Sequence, residues 1–262
     1  MSLSRSKKHW EDMGDLDPCW AILSEPGTKH GRWDLKKFFE TGTQEISELT
    51  RAAGGFGLPR HHDRALDFGC GVGRLTQALA PHFQDVVGID ISESMLRRAR
   101  ALNPPANCEF LLNGSDTLPF PPQWFDLIYT ALVLQHVATQ HSIRRYIAEF
   151  VRVLKTGGLL VMQLPNYIPL RRRLQARPRL YGWLRSAGLS EQLLYKKLGL
   201  HPIPMNFLPE EDVISIIESG GGTVLQVVAD RRAGPHIPGR MYYASKNGRP
   251  LKNEPASVSA TI

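Results

Sequence analysis

Apolar positions follow two rhythms along this chain. Between residues 64 and 165, short apolar runs alternate with stretches whose apolar residues recur at helical spacing. The runs are Ala65-Leu66, Asp85–Asp90, Cys108–Asn113, Asp126–Thr130 and Leu159–Leu164. Between them, Leu75 and Leu79, then Met95 and Leu96, mark helix faces, and a further helix runs from about His141 to Leu154 with its stop at Gly157-Gly158. Strand alternating with helix implies a parallel sheet with helices on both faces. Residues 166 to 208 break the alternation and are helical in character. Leu208-Pro209-Glu210-Glu211-Asp212 then opens a helix, with proline in the first turn and acids at the positive dipole end. It ends at Gly220-Gly221-Gly222, and Thr223–Ala229 and Arg240–Ser245 read as a hairpin looped at Gly234-Pro235.

The first 58 residues read differently. Residues 1 to 10 are polar and are expected to be mobile. Trp10, Trp20 and Trp33 follow, and Leu35, Phe38, Phe39, Ile46 and Leu49 suggest two amphipathic helices around Thr41-Gly42-Thr43. Gly54–Pro59 breaks the pattern. The expected organisation is a helical cap at 1–58, a core at 59–165, a basic helical insertion or lid at 166–208, the rest of the core at 209–246 and a disordered tail at 247–262.

Composition narrows the class. A 262-residue chain with 42% hydrophobic and 22% charged residues is long enough for one large α/β domain with attachments. No stretch approaches the apolar length of a membrane span, and Met1–Lys8 leads into no signal-peptide core. Cys19, Cys70 and Cys108 are an odd set without metal-ligand spacing, so the default expectation is a reduced, cytoplasmic setting with no metal. The net charge of +7 is local: residues 166 to 200 carry eight Arg and Lys against Glu191 alone.

The chemistry concentrates at Asp67-Phe-Gly-Cys-Gly-Val-Gly73, a strand end running into a glycine-rich turn that opens a helix. Glycines allow close backbone approach, and a helix N-terminus offers free N–H groups. A dinucleotide fingerprint would place its third glycine where Arg74 stands. Asp90 ends the next strand 21 residues after Gly69, at the spacing of a ribose-binding acid. The pattern acid-x-G-x-G-x-G, Val87-Gly-Ile-Asp-Ile-Ser-Glu-Ser-Met-Leu96 with Ala99, Trp124–Tyr129 and Val153–Gly158 resemble, in order and spacing, the motifs of class I S-adenosylmethionine (SAM) dependent methyltransferases of the type 11/25 kind. Thr156 replaces the proline usual in the last motif.

That resemblance implies a Rossmann-like, seven-stranded, mostly parallel sheet with an antiparallel last strand, an N-terminal helical cap and a helical insertion after strand five. It implies SAM as cofactor, with S-adenosylhomocysteine as product. Carried over residue by residue, the cofactor would meet Asp67, Gly69, Cys70, Gly71, Gly73, Asp90, Ile91 and Met95. Asp116, Thr117 and Leu118 would hold the adenine, although Ser115-Asp116 also makes an ordinary turn. Ala131 and Gln135 would face the methionine half. Cys70 reads as a small side chain that fits the turn.

His136 is the candidate base, with the alternative that it packs and orients its loop. His201 in the insertion is a second candidate, and Trp33, Lys36 or Thr41 of the cap could reach the methionine carboxylate or the acceptor. The expected activity is methyl transfer to a small molecule, at oxygen before nitrogen or carbon. A SAM-binding protein without turnover is the rival. The acceptor is expected to be anionic or lipid-like, nucleic acid is disfavoured as a partner, and the stretch 166–200 could touch a membrane surface peripherally.

Overall fold

The computed structural model describes residues 3–170, 174, 176–200, 205–234 and 236–246. The expected tail at 247–262, His201 and Pro235 therefore lie outside the described residues. Seven strands form one sheet in the order β3-β2-β1-β4-β5-β7-β6. They are β1 (Arg64–Phe68), β2 (Asp85–Asp90), β3 (Cys108–Leu112), β4 (Phe125–Thr130), β5 (Leu154–Pro165), β6 (Gly222–Asp230) and β7 (Gly239–Lys246). The first five pair parallel; β7 runs antiparallel to both β5 and β6. Strand β4 is buried along its whole length; Leu127–Tyr129 is apolar, and the buried Asp126 accepts from Asp63 N, Arg64 N and Lys155 Nζ.

Helices cover both faces. On one, α6 (Gln140–Val153) and α8 (Glu210–Ser219) bury Ile147, Phe150, Val213 and Ile217 against Ile128, Leu160 and Tyr242. On the other, α3 (Leu35–Phe56) and α4 (Arg74–Leu79) bury Ile46, Leu49 and Leu75 against Leu127, Tyr129 and Val161. Caps set the boundaries: Asp34 accepts from Lys37 N at the start of α3, and Thr139 from Ser142 N at the start of α6. The remaining helices are α1 (Leu3–Leu16), α2 (Pro18–Ile22), α5 (Glu93–Ala101) and α7 (Ala176–Ser186).

Three expectations are corrected. The cap segment 35–56 is one helix, not two, because Gly42 is a contact residue and not a breaker. A Cβ there would sit 2.6 Å from the Arg74 carbonyl oxygen, so glycine lets α3 lie directly on α4. The polar stretch 3–10 is helical: it opens α1, which packs on α5. Helix α6 stops at Val153, and β5 begins at once; Gly157, at φ 75°, belongs to a register shift inside the strand.

Arg74 shows how the cap is tied on. Only 4% exposed, it donates to Glu45 Oε2 of α3 at 2.7 Å and to Thr41 Oγ1 at 3.2 Å. Glu45 Oε1 also accepts from the Tyr129 hydroxyl of β4 and from Arg232 beyond β6. Burial pushes Glu45 up, but Arg74, Arg232 and Tyr129 outweigh it and hold the carboxyl below its ordinary range. One carboxylate thus joins cap, sheet and hairpin.

Candidate cofactor cleft

The ends of β1, β2 and β4 open into one cleft of about 880 Å³, its mouth included. This is the carboxyl edge of the sheet at the point where the strand order reverses, the expected binding position in an open α/β sheet. Beyond β1, Gly69 N and Cys70 N both donate to the Ile89 carbonyl, folding the turn under β2. Gly71 N donates to Asp90 Oδ2 at 2.9 Å, and Ser92 N to Asp90 Oδ1 at 2.9 Å. Asp90 therefore organises the glycine turn and the start of α5 while still facing the cleft.

The turn has no room for side chains. Gly69 and Gly71 have φ of 76° and 55°, and Cβ atoms there would come within 2.4 Å of Val133 and 2.5 Å of Ile22. Phe68, Ile89 and Met95 supply apolar walls. A bare backbone cradle, a facing carboxylate and apolar walls fit the phosphate-free nucleoside of SAM: hydroxyls for the acid, a flat base for the walls.

Of the residues expected from sequence, Gly69, Gly71, Asp90, Ile91, Met95, Ala131 and His136 line this cleft. Asp67 lies beneath it, 2% exposed, accepting from Thr76 Oγ1 at 2.6 Å. Cys70 is buried; Gly73, with φ of 83°, faces the ring of Phe110. Asp116 pairs with Arg145 at 3.3 Å and, like Thr117 and the buried Leu118, is not a lining residue. Asn113 and Tyr146 line the cleft on that side instead. Asn113 donates to the Ser115 and Thr117 carbonyls, and the Tyr146 hydroxyl to that of Ser115, so both shape the turn. Gln135 is buried behind His136, its amide Nε2 3.0 Å from the ring Nε2.

The cap roofs the cleft with residues that sequence reasoning did not select. Ser6 and Trp10, one turn apart on α1, join Ala21 and Ile22 of α2. The Trp10 ring lies 5.8 Å from that of His136. Glu11 accepts from Glu93 N and Ser94 N, each at 2.8 Å, and so caps α5 from 82 and 83 residues away. Burial raises Glu11, but the Ser94 and Glu93 N–H groups outweigh it and hold its carboxyl low. Trp33, Lys36 and Thr41 do not line the cleft: Trp33 donates to the Leu23 carbonyl, Lys36 lies on a separate shallow surface, and Thr41 bonds within α3 and to Arg74.

Burial dominates the two acids under the cradle, raising Asp67 to about 7 and Asp90 to about 6. Acids raised in the fold stabilise it most below their unfolded values and lose that contribution as pH rises through the folded ones. The ligand-free protein should therefore melt at lower temperature at pH 8 than at pH 5, and Asp67→Asn should flatten that slope. Thermal unfolding across this range is the check; an identical slope in the variant would remove Asp67 from the account.

The fold and the cleft define an open α/β protein whose cleft lies at the carboxyl edge of its sheet. Residues 66–162 match the family model described as a methyltransferase domain. Over that stretch, from β1 into β5, the chain is similar to class I SAM-dependent methyltransferases, a class whose cofactor is SAM. It is 27% identical to 2-methyl-6-phytyl-1,4-hydroquinone methyltransferase of Synechocystis over 62% of this chain and 50% of that one. It is 29% identical to malonyl-[acyl-carrier protein] O-methyltransferase of Herminiimonas arsenicoxydans over 65% of this chain and 56% of that one. The chain thus spans about half the length of these relatives. In fold it is similar to magnesium protoporphyrin IX methyltransferase of Synechocystis with bound S-adenosylhomocysteine: TM-score 0.58, 16% identity, covering 92% of this chain and 97% of that one. Among the described residues, no helix is long and apolar enough to cross a membrane.

Proposed function

We propose that this protein transfers the methyl group of SAM to a hydroxyl of a small, lipid-like or anionic molecule. The observation that carries the reading is the Gly69–Gly71 backbone cradle tied to Asp90 in a cleft roofed by the cap. Bound there, SAM supplies an activated methyl group, which an in-line nucleophile displaces from sulfur. The chain's part is to position and to exclude water. Asp90 would accept hydrogen bonds from the ribose hydroxyls, and Phe68, Ile89 and Met95 would wall the adenine. Trp10 and Ile22 close the cleft from above. Ala131 to Ala138, beyond β4, form the wall that an acceptor would meet.

His136 sits in that wall and is the proposed base. The Gln135 amide nitrogen, 3.0 Å from Nε2, holds the ring in that wall. His136→Ala is expected to lower kcat by about a hundredfold or more with SAM affinity unchanged. A loss under tenfold would assign His136 to loop packing.

Two of the relatives named above act, by their names, on a phytylated hydroquinone and on an acyl-carrier-bound malonyl group. Both names are compatible with a lipid-like or anionic acceptor here. The reading is tested by incubating the protein and methyl-labelled SAM with fractionated cell extract. Label in one small-molecule fraction, dependent on the protein, is the expected result. Label in RNA or protein alone would overturn the small-molecule reading, and none, with SAM binding intact, would favour a binding protein without turnover.

A further inference from the structure

The surface of the insertion is unlike the rest of the molecule. Among the described residues ten large apolar side chains are exposed, and seven of them fall between Tyr167 and Leu198. Leu170 is 71% exposed, Leu174 61% and Trp183 69%. Helix α7 shows how this arises. Tyr181 turns inward, where it packs with Leu194 and Leu200. Leu180 and Trp183, three positions apart and so on a shared face, point to solvent. Among the described residues this outward apolar face has no partner, whereas single exposed apolar residues elsewhere need no explanation.

Charge accompanies it. Arg177, Arg179, Lys196 and Lys197 are exposed in the same segment. Its one acid, Glu191, is taken up by Arg185 and faces Lys8 of α1, so it does not offset them. The stretch 166–200 holds an excess of seven positive charges, equal to the net charge of the whole chain. Aliphatic side chains and tryptophan beside arginine and lysine are what an anionic lipid surface accommodates: the apolar groups enter the acyl boundary and the cations meet the headgroups. Nucleic acid would use the cations and leave Leu180 and Leu198 without gain.

We propose that residues 176–198 dock this protein on an anionic bilayer surface. The same segment is anchored to the roof of the cleft. The Tyr195 hydroxyl donates to Asp17 Oδ2 at 2.9 Å, and Asp17, between α1 and α2, is 1% exposed. His9, next to Trp10, meets the Tyr181 ring. Docking thus holds the cap–insertion seam at the lipid surface, where a lipid-phase acceptor would enter. That consequence rests on the small-molecule methyltransferase reading; the docking itself does not.

The test is co-sedimentation of the full chain with vesicles of phosphatidylcholine, with and without phosphatidylglycerol. Binding to the anionic vesicles is expected, weakened by added salt, with little to the neutral ones. The double variant Leu180→Glu/Trp183→Glu is expected to bind at least tenfold more weakly, and Arg179→Gln about fivefold more weakly. Calorimetry with SAM checks that each variant keeps its fold. No binding to anionic vesicles would overturn the proposal, as would variants that retain SAM affinity and bind vesicles like the parent. Salt-sensitive capture by RNA without vesicle binding would overturn it in favour of a nucleic-acid surface. A lack of methyl transfer, with vesicle binding intact, would count against the proposed function alone.

Discussion

Asp90→Ala is expected to weaken SAM binding by about a hundredfold or more. Hydrogen bonds to a charged group contribute ~1.5–3 kcal/mol each, and the proposed geometry gives Asp90 two ribose hydroxyls. The same carboxylate accepts from Gly71 N and Ser92 N, so its loss also loosens the cradle. Asp90→Asn keeps one acceptor and should fall between the parent and the alanine variant. Burial raises Asp90 from its ordinary 3.8 to about 6, which adds a pH signature. SAM needs the ionised acid as acceptor, so affinity should be full above pH 6 and fall as pH drops through it, in the limit about tenfold per pH unit. Asp90→Asn should lose that dependence. Calorimetry at several pH values reads both effects; unchanged affinity in Asp90→Ala would mean that the ribose lies elsewhere.

The second large effect is on stability. Glu45→Ala should destabilise the fold by about 3–5 kcal/mol, the range for removing one partner of a buried ion pair. Arg74 is left behind with its side chain almost fully enclosed, and Tyr129 loses its acceptor. Arg232 is less affected, because it is more exposed and keeps Asp230. The paired change Glu45→Leu/Arg74→Met should recover most of the loss, since no buried charge then remains unpaired. Denaturant unfolding of the parent, Glu45→Leu, Arg74→Met and the double variant completes the cycle. A single variant within about 1 kcal/mol of the parent would show that the cap is held by packing alone.

The core was legible because its signals are local. Parallel strands buried on both faces need apolar runs such as Leu127–Tyr129, and the Gly69–Gly73 turn must be small whatever packs on it. Asp90 could be placed by its spacing from that turn. What escaped was set by contacts between distant segments. Met1–Trp10 reads as polar, yet its second half forms the roof of the cleft, and Glu11 finds its role only against Glu93 and Ser94. Gly42 looks like a break until Arg74 lies beneath it. Tyr146 carries no motif; it reaches the cleft because α6 crosses the end of β1, with its ring 4.7 Å from Phe68. Asp116 stands at the motif position but pairs with Arg145, a residue 29 positions on that no local pattern connects to it.

The placement of every functional residue depends on SAM occupying the cleft between Gly69 and Asp90. Titration calorimetry of the full chain with SAM, S-adenosylhomocysteine and NAD tests that most directly. The account predicts saturable one-to-one binding of the first two, none of NAD, and loss of SAM binding in Asp90→Ala. Binding of NAD without SAM, or SAM binding indifferent to Asp90, would contradict it.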